Sequence, residues 1–547
     1  MLSVRSLLPA ALLVAGAFAL VADSASVPAH RPASALPTGI SEAWSFASKG
    51  LGQGMDARPA MVVGAEAILP SGPTPSLSGD LEVHDVSTGR TRLWREDFLL
   101  DDDMSVAVGD VLVSAGNRGG PGVVTGFELG KDRHLWTREL AEHADRMVVA
   151  DGRVILVAGS TVQALMPGSG AVAWEKPLRR DCGYPVDSWG RFVALTELCS
   201  SEPGRRILVL DASSGAQVLD ERVADGKDPS LWAAVGELVL RESPGGLEYV
   251  GAGGAVRHRV PGSGIEVEQV IQGPRGSGMV IASADGGRSA MAYDEAAHLL
   301  WKRPGLPDVW GSEREPLVSA DRRFAYSLLN PKADEGDTLV FLDVRSLADG
   351  RRAIFPLPLH GLGASILGVS GNSVVIRATG ADGPAVTVFR LEGADQAGES
   401  IEVHGTRFTA WPDPCSLLPP DTLPAGGKGY DHRSETEFGR PAVCTLIPSD
   451  EHDPVLRVAI AWMADTPGFA GRLLAAARFD DEQNAPGEHG LRALGGGAYL
   501  RAYENGHGHQ DLALVVVGRL VVSLQAADDE RATVKYAKVL AAYLHNR

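Results

Sequence analysis

Between residues 44 and 355 the chain repeats one pattern: a β-rich run, a small-residue turn carrying Asp or Gly, then an aromatic or apolar residue followed by charge. The clearest copies are Asp85-Val86-Ser87-Thr88-Gly89 leading to Trp94, Gly130 leading to Trp136, Gly168-Ser169-Gly170 leading to Trp174, and Asp211-Ala212-Ser213-Ser214-Gly215 leading to Leu219. Fainter copies run from Gly254 to Arg257, from Asp294 to Trp301 and from Gly350 to Phe355, and one stands alone at the front as Ala43-Trp44-Ser45-Phe46. The landmarks are spaced 50, 42, 38, 45, 38, 44 and 54 residues apart. That is the period of a small four-stranded sheet repeated along a chain.

Each copy reads as short strands between tight turns. In the third, apolar runs at 147–150 and 154–159 flank Asp151-Gly152, 161–165 alternates, and 171–174 follows the glycine-rich turn. Asp-Gly between apolar runs is a strong hairpin signal. Similar inner pairs are expected at 106–113 around Gly109-Asp110, at 192–198, and at 365–377 around Gly371-Asn372. One such sheet cannot bury both of its faces, so the copies must stack around an axis as blades of a β-propeller. A ring keeps an open edge unless its first and last segments share a blade, which makes the solitary Trp44 copy the outer strand of the last sheet. Seven intervals plus a unit beginning at Ala364 predict eight blades. Seven is the alternative, because the fifth unit, 232–260, is short and lacks a terminal Trp.

With 69 Asp and Glu against 51 Lys and Arg the formal charge is −18, which repels nucleic acid and anionic lipid at long range. Residues 1–26 combine Arg5, an apolar stretch over 7–22 and the small residues Ser24, Ala25 and Ser26. This is the outline of a secretory signal peptide cleaved after Ser24 or Ser26. An uncleaved signal anchor is the alternative, because the apolar run nears bilayer-spanning length. Either reading places the rest of the chain outside the cytoplasm, secreted or anchored. Residues 27–40, with Pro28, Pro32 and Pro37, read as a linker. In an exported chain the four cysteines pair most economically as two structural disulfides, Cys182 with Cys199 and Cys415 with Cys444. Metal or redox chemistry is the alternative, and neither pair has CxxC spacing.

Asp-x-x-Thr-Gly followed by a short spacer and Trp, as in Asp85 to Trp94, is similar to the repeat of the pyrroloquinoline-quinone-like (PQQ-like) β-propellers, over about residues 40 to 400. The resemblance implies that the repeat tryptophans Trp44, Trp94, Trp136, Trp174 and Trp301 dock between neighbouring blades. That family contains quinone-dependent alcohol dehydrogenases and also cofactor-free scaffolds such as an outer-membrane assembly lipoprotein. The dehydrogenases hold their quinone with a stacked Trp, a carboxylate base and calcium on acidic and amide oxygens, often beneath adjacent cysteines. This chain has no adjacent Cys pair, and Asp101-Asp102-Asp103 reads as a solvated acidic loop. No cofactor is therefore expected, and the repeat tryptophans read as packing wedges.

After about residue 402 the texture changes. Strands are expected at 455–462, 498–503, 512–517 and 520–524, and helices at 467–479 and 529–544, where Val534, Ala537, Leu540, Ala541 and Leu544 mark one apolar face. The mixture predicts a small α+β domain over 411–547. Asp413-Pro414-Cys415-Ser416-Leu417-Leu418, the second Cys444 and the glycines of 491–499 resemble a small actinobacterial extracytoplasmic domain of secreted lipoproteins and kinase sensors. Only Cys415 and Cys444 carry over from it. His507 and His509, beside Glu504 and Asp511, are the candidate metal ligands, set against a reading of the same residues as a polar turn. His432, His452 and His489 lie in other polar loops. No Gly-x-Ser-x-Gly elbow with ordered partners, no HExxH and no phosphate loop occurs.

These readings predict a mainly β chain: an eight-bladed (alternatively seven-bladed) PQQ-like β-propeller over 41–402, followed by a small α+β domain. The expected role is that of a non-enzymatic, exported cell-envelope scaffold binding a protein, glycan or small ligand. The alternatives are a quinone- or metal-dependent oxidoreductase working in the propeller funnel, and a membrane-anchored extracellular sensor.

Overall fold

A computed structural model describes residues 36–545 apart from 38, 48–59, 71–78, 99–103, 117–121, 203, 224–231, 273–277, 306–308, 312–316, 319–321, 332–338, 381–382, 393–400, 404–405, 409–411, 419, 438–439, 464–466, 479–491, 496–497, 506–507, 528 and isolated positions within 469–477. The expected signal segment, residues 27–35 of the linker, Asp101-Asp102-Asp103, His489 and His507 therefore lie outside the described residues.

The third repeat shows how the pattern folds. Ala144–Ala150, Arg153–Ala158, Thr161–Leu165 and Val172–Pro177 pair in that order, each antiparallel to the next. Its second strand is apolar after Arg153 because both of its faces are covered. Val154 and Leu156 pack with Val113, Ala115 and Val124 of the preceding sheet, whereas Ile155 and Val157 pack with Tyr184, Val193 and Leu195 of the following one. Alternate side chains point to opposite faces of a strand, so each sheet is gripped from both sides by its sequence neighbours. Five sheets are four-stranded, and a sixth has its inner strand in two pieces, Cys182–Gly183 and Val186–Trp189. The short fifth repeat is one of the complete four-stranded sheets.

The seventh sheet has eight strands, because Arg352–Ser370 runs through it as the outer strand of one four-stranded set and the inner strand of the next. Its last edge is closed by Gly39–Ala47, antiparallel to Gly383–Glu392, with Trp44 opposite Val388 and Ser45 opposite Thr387. This closing strand begins at Gly39, two residues inside the expected linker. At the inner end the first and last sets approach so closely that a Cβ on Gly368 would overlap the Val62 side chain, which leaves glycine as the fitting residue.

Neighbouring sheets are joined by one recurring contact. The Trp136 indole N–H donates to the Pro167 carbonyl at 2.6 Å, Trp174 to Ala212 at 2.7 Å, Trp301 to Leu347 at 3.2 Å and Trp44 to Val86 at 3.0 Å. Three residues beyond each carbonyl stands a glycine with positive φ, Gly170, Gly215, Gly350 or Gly89, on which the indole lies. A Cβ at these positions would come within 2.5, 2.8, 2.6 and 3.0 Å of the ring, so the turn glycine answers both the backbone conformation and the wedge. The chain aims each indole by a β-bulge one residue before it, at Leu135, Ala173, Leu300 and Ala43. The closing strand thus carries the same bulge and the same wedge as the repeats it completes.

Two repeats depart from the expected wedge. The outer strand Thr91–Phe98 has no such bulge, and Arg92 rather than Trp94 takes the wedge position, opposite Val83. Arg92 donates to the Leu129 carbonyl at 2.8 Å, replacing an indole N–H with a guanidinium, and also pairs with Glu66 and Asp132. In the fifth repeat the wedge position is the exposed His258, and its cross-strand partner is Tyr249, where other wedges have Gly126, Ala164 or Ala292. Tyr249 is fully buried against the sixth sheet. The bulk that other repeats carry on the outer strand has moved one strand inward.

The C-terminal region is an antiparallel sheet in the order Tyr430–Glu437, Arg440–Pro448, Leu456–Met463, Leu520–Ala526, Gly508–Val517, Ala498–Asn505, Arg492–Gly495. The helix Glu530–His545 covers one face with Tyr536, Ala537, Leu540 and Ala541, and Asp529 caps it by accepting the Ala532 N–H at 2.9 Å. In the expected helix at 467–479 the described positions are helical, with Ala470 and Leu474 buried one turn apart. Leu456–Met463 lies against Leu339–Ser346 and Arg352–Ser370, so the α+β region docks on the seventh sheet. None of the described helices is long and apolar enough to cross a membrane.

If the wedge joints hold the ring, Trp44→Ala is expected to lower stability by about 2 to 3 kcal/mol. Arg92→Ala, which removes a partly exposed ion pair, should cost roughly 1 kcal/mol. Urea denaturation followed by tryptophan fluorescence measures both, and equal losses would contradict the ranking.

Candidate functional site

The acids most visible in the sequence are engaged in the turns. The Asp85 carboxylate accepts the Thr88 N–H at 2.8 Å and the Ser87 and Thr88 hydroxyls at 2.6 and 2.9 Å. These hydrogen bonds hold it below the usual carboxylate range. Asp211 is desolvated, which works against ionisation, but hydrogen bonds from Ser213, Arg191 and Ser214 outweigh this and hold its pKa to about 2. The residue after each acid ties the turn to the preceding inner hairpin: Val86 donates its N–H to the Ala65 carbonyl at 2.9 Å, and Ala212 to Arg191 at 2.9 Å. Pro167 cannot make this bond, having no N–H. These carboxylates shape the receptor on which the preceding wedge sits.

The inner strands carry half-buried aliphatic side chains, among them Met61, Val106, Val148, Val149 and Ile366. Their charged members among the described residues are Asp145, Arg146, Asp187, Glu266 and Glu268; Asp145 accepts the Gly159 N–H at 2.8 Å, and Glu268 pairs with the buried Arg345 at 3.4 Å. Two trios of ligand-type residues come together among the described residues: Cys182, Glu197 and Cys199, and Cys415, His432 and Cys444, each within 4.8 Å. In both, the sulfurs are joined to one another as the disulfides Cys182–Cys199 and Cys415–Cys444, leaving one free ligand per trio. Glu197 is buried and accepts the Tyr184 hydroxyl at 3.0 Å, with Arg179 and Arg206 at 3.7 and 3.8 Å. Sequence reasoning missed Glu197 and placed His432 in a polar loop, as a candidate to complete a histidine site; His432 instead stands on the strand Tyr430–Glu437 opposite Leu446, and strand pairing, not sequence proximity, brings both residues to the sulfurs. His509 stands on Gly508–Val517 opposite Glu504, and Asp511 opposite Ala502. His452 bonds Asp450 at 2.9 Å in an exposed turn.

The most unusual electrostatic environment lies at the closing seam. His84 is fully buried beneath the closing strand, 5.8 Å from the Trp44 ring and 4.1 Å from the Phe46 ring by centroid. Its Nδ1 meets the Thr91 hydroxyl at 2.9 Å, while its Nε2 is without a hydrogen-bond partner, 3.6 Å from Glu82 Oε2. Burial lowers the imidazole pKa to about 4 and raises that of the Glu82 carboxyl. Because the folded pKa of His84 lies below its ordinary value of 6.5, its contribution to stability is complete above pH 6.5 and is lost as pH falls toward about 4. Glu82 acts with the opposite sign over an overlapping range, so the wild type must be compared with a variant lacking only the imidazole.

Accordingly, the stability of wild type relative to His84→Phe should fall by roughly 2 kcal/mol between pH 6.5 and 4, measured by urea denaturation at fixed ionic strength. A pH-independent difference would show that His84 does not titrate at the seam. Reducing the two disulfides should lower the denaturation midpoint by an amount equivalent to about 2 to 4 kcal/mol per bridge.

Residues 78–242 match the family profile PQQ_2, described as outer membrane protein assembly factor BamB. No curated protein matches the chain. Among solved structures, BamB from Moraxella catarrhalis is 16% identical, with 64% of this chain and 100% of that chain covered at a TM-score of 0.35. The dihydro-heme d1 dehydrogenase NirN is 14% identical over 66% and 78%, at 0.38. The quinohemoprotein alcohol dehydrogenase ADHIIG from Pseudomonas putida HK5 is 9% identical over 70% and 81%, at 0.37. Residues 78–242 are thus similar to the PQQ_2 family, and they span sheets whose turns and wedge positions recur before and after them.

Proposed function

We propose that this protein is a non-enzymatic, extracytoplasmic scaffold whose propeller and docked α+β domain bind a partner at the cell envelope. One observation carries the reading: the conspicuous polar groups of the repeats are committed to joining blades. Four indole N–H groups donate to main-chain carbonyls between sheets, and Asp85 and Asp211 are taken up in the receiving turns. The match of residues 78–242 to a family described as an assembly factor agrees with this use, and the two disulfides agree with an oxidising compartment. We read the split eight-stranded sheet as the seventh and eighth blades, with Trp44 on the outer strand of the eighth.

Purified full-length protein should retain no visible quinone absorbance after incubation with pyrroloquinoline quinone and calcium, followed by desalting. Retention of one equivalent would overturn the non-enzymatic reading. Immobilised protein should enrich a saturable partner from envelope extract, and a failure to enrich any component over a denatured control would count against the scaffold.

A further inference from the structure

The fifth and sixth sheets present a surface unlike the rest of this acidic chain. Their outer strands, Val256–Pro261 and Leu299–Pro304, contain Arg257, His258, Arg259, Lys302 and Arg303 and not one acid. The outer strands Arg133–Glu139, Val172–Pro177 and Gln217–Val223 each mix bases with Glu or Asp. All five basic side chains are exposed. Arg259 pairs with Glu248 at 2.9 Å and Arg303 donates to the Asp349 carbonyl at 2.9 Å, which leaves Arg257, Lys302 and His258, whose ring meets Tyr249 edge-on, without an ion pair among the described residues.

Apolar surface lies beside this charge. Leu299 and Leu300 are 55% and 44% exposed, and they are the one adjacent pair among the exposed large apolar side chains of the described residues. Leu300 occupies the bulge before Trp301, where Leu135 of the second sheet is half-buried. The two sheets meet across the altered joint: His258 stands opposite Tyr249, which is buried in one cluster with Met291 and Tyr293 of the sixth sheet, and these lie opposite Lys302 and Leu299. A wedge position without an indole, an exposed leucine pair and three bases therefore lie on neighbouring sheets joined through these side chains.

We propose that the outer strands of the fifth and sixth sheets form a docking surface for an acidic segment of a partner protein that carries bulky aliphatic side chains. The argument is charge complementarity on a restricted apolar patch. Acidic groups would pair with Arg257, His258 and Lys302 while an aliphatic side chain covers Leu299 and Leu300. Two leucines suit one or two side chains of a peptide and are too few to insert into a bilayer. The net charge of −18 opposes approach to an anionic membrane, whereas a short segment lies within about one Debye length, ~8 Å, of the bases themselves.

This surface rests on the scaffold reading, and the test separates the two. A fluorescent acidic peptide alternating Glu with Leu, a charge-reversed Lys/Leu peptide and phosphatidylglycerol vesicles are titrated against full-length protein. The expected result is binding of the acidic peptide alone, weakened roughly tenfold or more by Arg257→Glu/Lys302→Glu and by Leu299→Ser/Leu300→Ser. Affinity should also fall as salt rises from ~50 to ~300 mM. Circular dichroism checks that the exposed substitutions leave the fold intact. Absence of peptide binding, equal binding of the reversed peptide, binding to vesicles instead, or affinity unchanged in both variants would each overturn the surface. A partner from envelope extract retained by those variants would preserve the scaffold reading while placing its interface elsewhere.

Discussion

An indole lying on a glycine turn of the next sheet, with its N–H given to a carbonyl three residues earlier, is the contact on which the rest of this molecule depends. A four-stranded sheet is too small to exclude water from both faces, and stacking alone leaves neighbours free to slide. The wedge fixes the spacing of adjacent sheets by bulk and their register by a directional bond. Its other requirements follow from that geometry: a bulge to aim the ring and a glycine that tolerates both positive φ and close contact, joined at Gly89 and Gly215 by an Asp whose carboxylate holds the turn in shape. The docked C-terminal sheet rests on a strand that this ring holds in place.

The joints that break the pattern show what it tolerates. Arg92 reproduces the directional bond without the buried bulk and recovers part of the lost contact through Glu66 and Asp132. The fifth repeat does the opposite, keeping bulk in Tyr249 but giving up the bond, since the Tyr249 hydroxyl has no hydrogen-bond partner. Each departure keeps one half of the wedge, the directional bond at Arg92 and the bulk at Tyr249. At the closing seam the same demand for volume is met with an imidazole, so packing there depends on a group that acid can charge.

Much of the fold was legible because its determinants are local. Asp151-Gly152 between apolar runs, the solitary Trp44 and the apolar stripe of 534–544 each specify an element without reference to distant residues. The strand Tyr430–Glu437 was not legible: its sequence, with five charged or imidazole side chains in eight positions, is that of a solvated edge whose strand character comes from pairing with Arg440–Pro448. The register that puts Arg92 at the wedge position was not legible, because sequence spacing does not reveal whether a bulge precedes the aromatic residue. The proximity of His84 to Glu82 and Trp44, and of His432 to Cys415 and Cys444, depends on strand register and on contacts across long separations. For that reason the structural turns and the closing strand could be read from the chain, while the environment of His84 at the seam and the basic outer surface could not.

The closing strand also imposes an order of assembly. Ser41 meets Glu392 and Ser45 meets Thr387, so the first described strand pairs with the last one of the propeller. As a chain emerges from its N-terminus, residues 39–47 must stay unpaired until residues 383–392 arrive, while every other sheet can form from a contiguous stretch. Closure is therefore the strand pairing of longest sequence separation in the repeat region, and without it Gly383–Glu392 has an open edge and the Gly89 turn lacks its indole. The bulge at Ala43 and the indole of Trp44 give the closing strand a means of recognition beyond its backbone ladder. A strand without them could add to the edge without seating on the first turn.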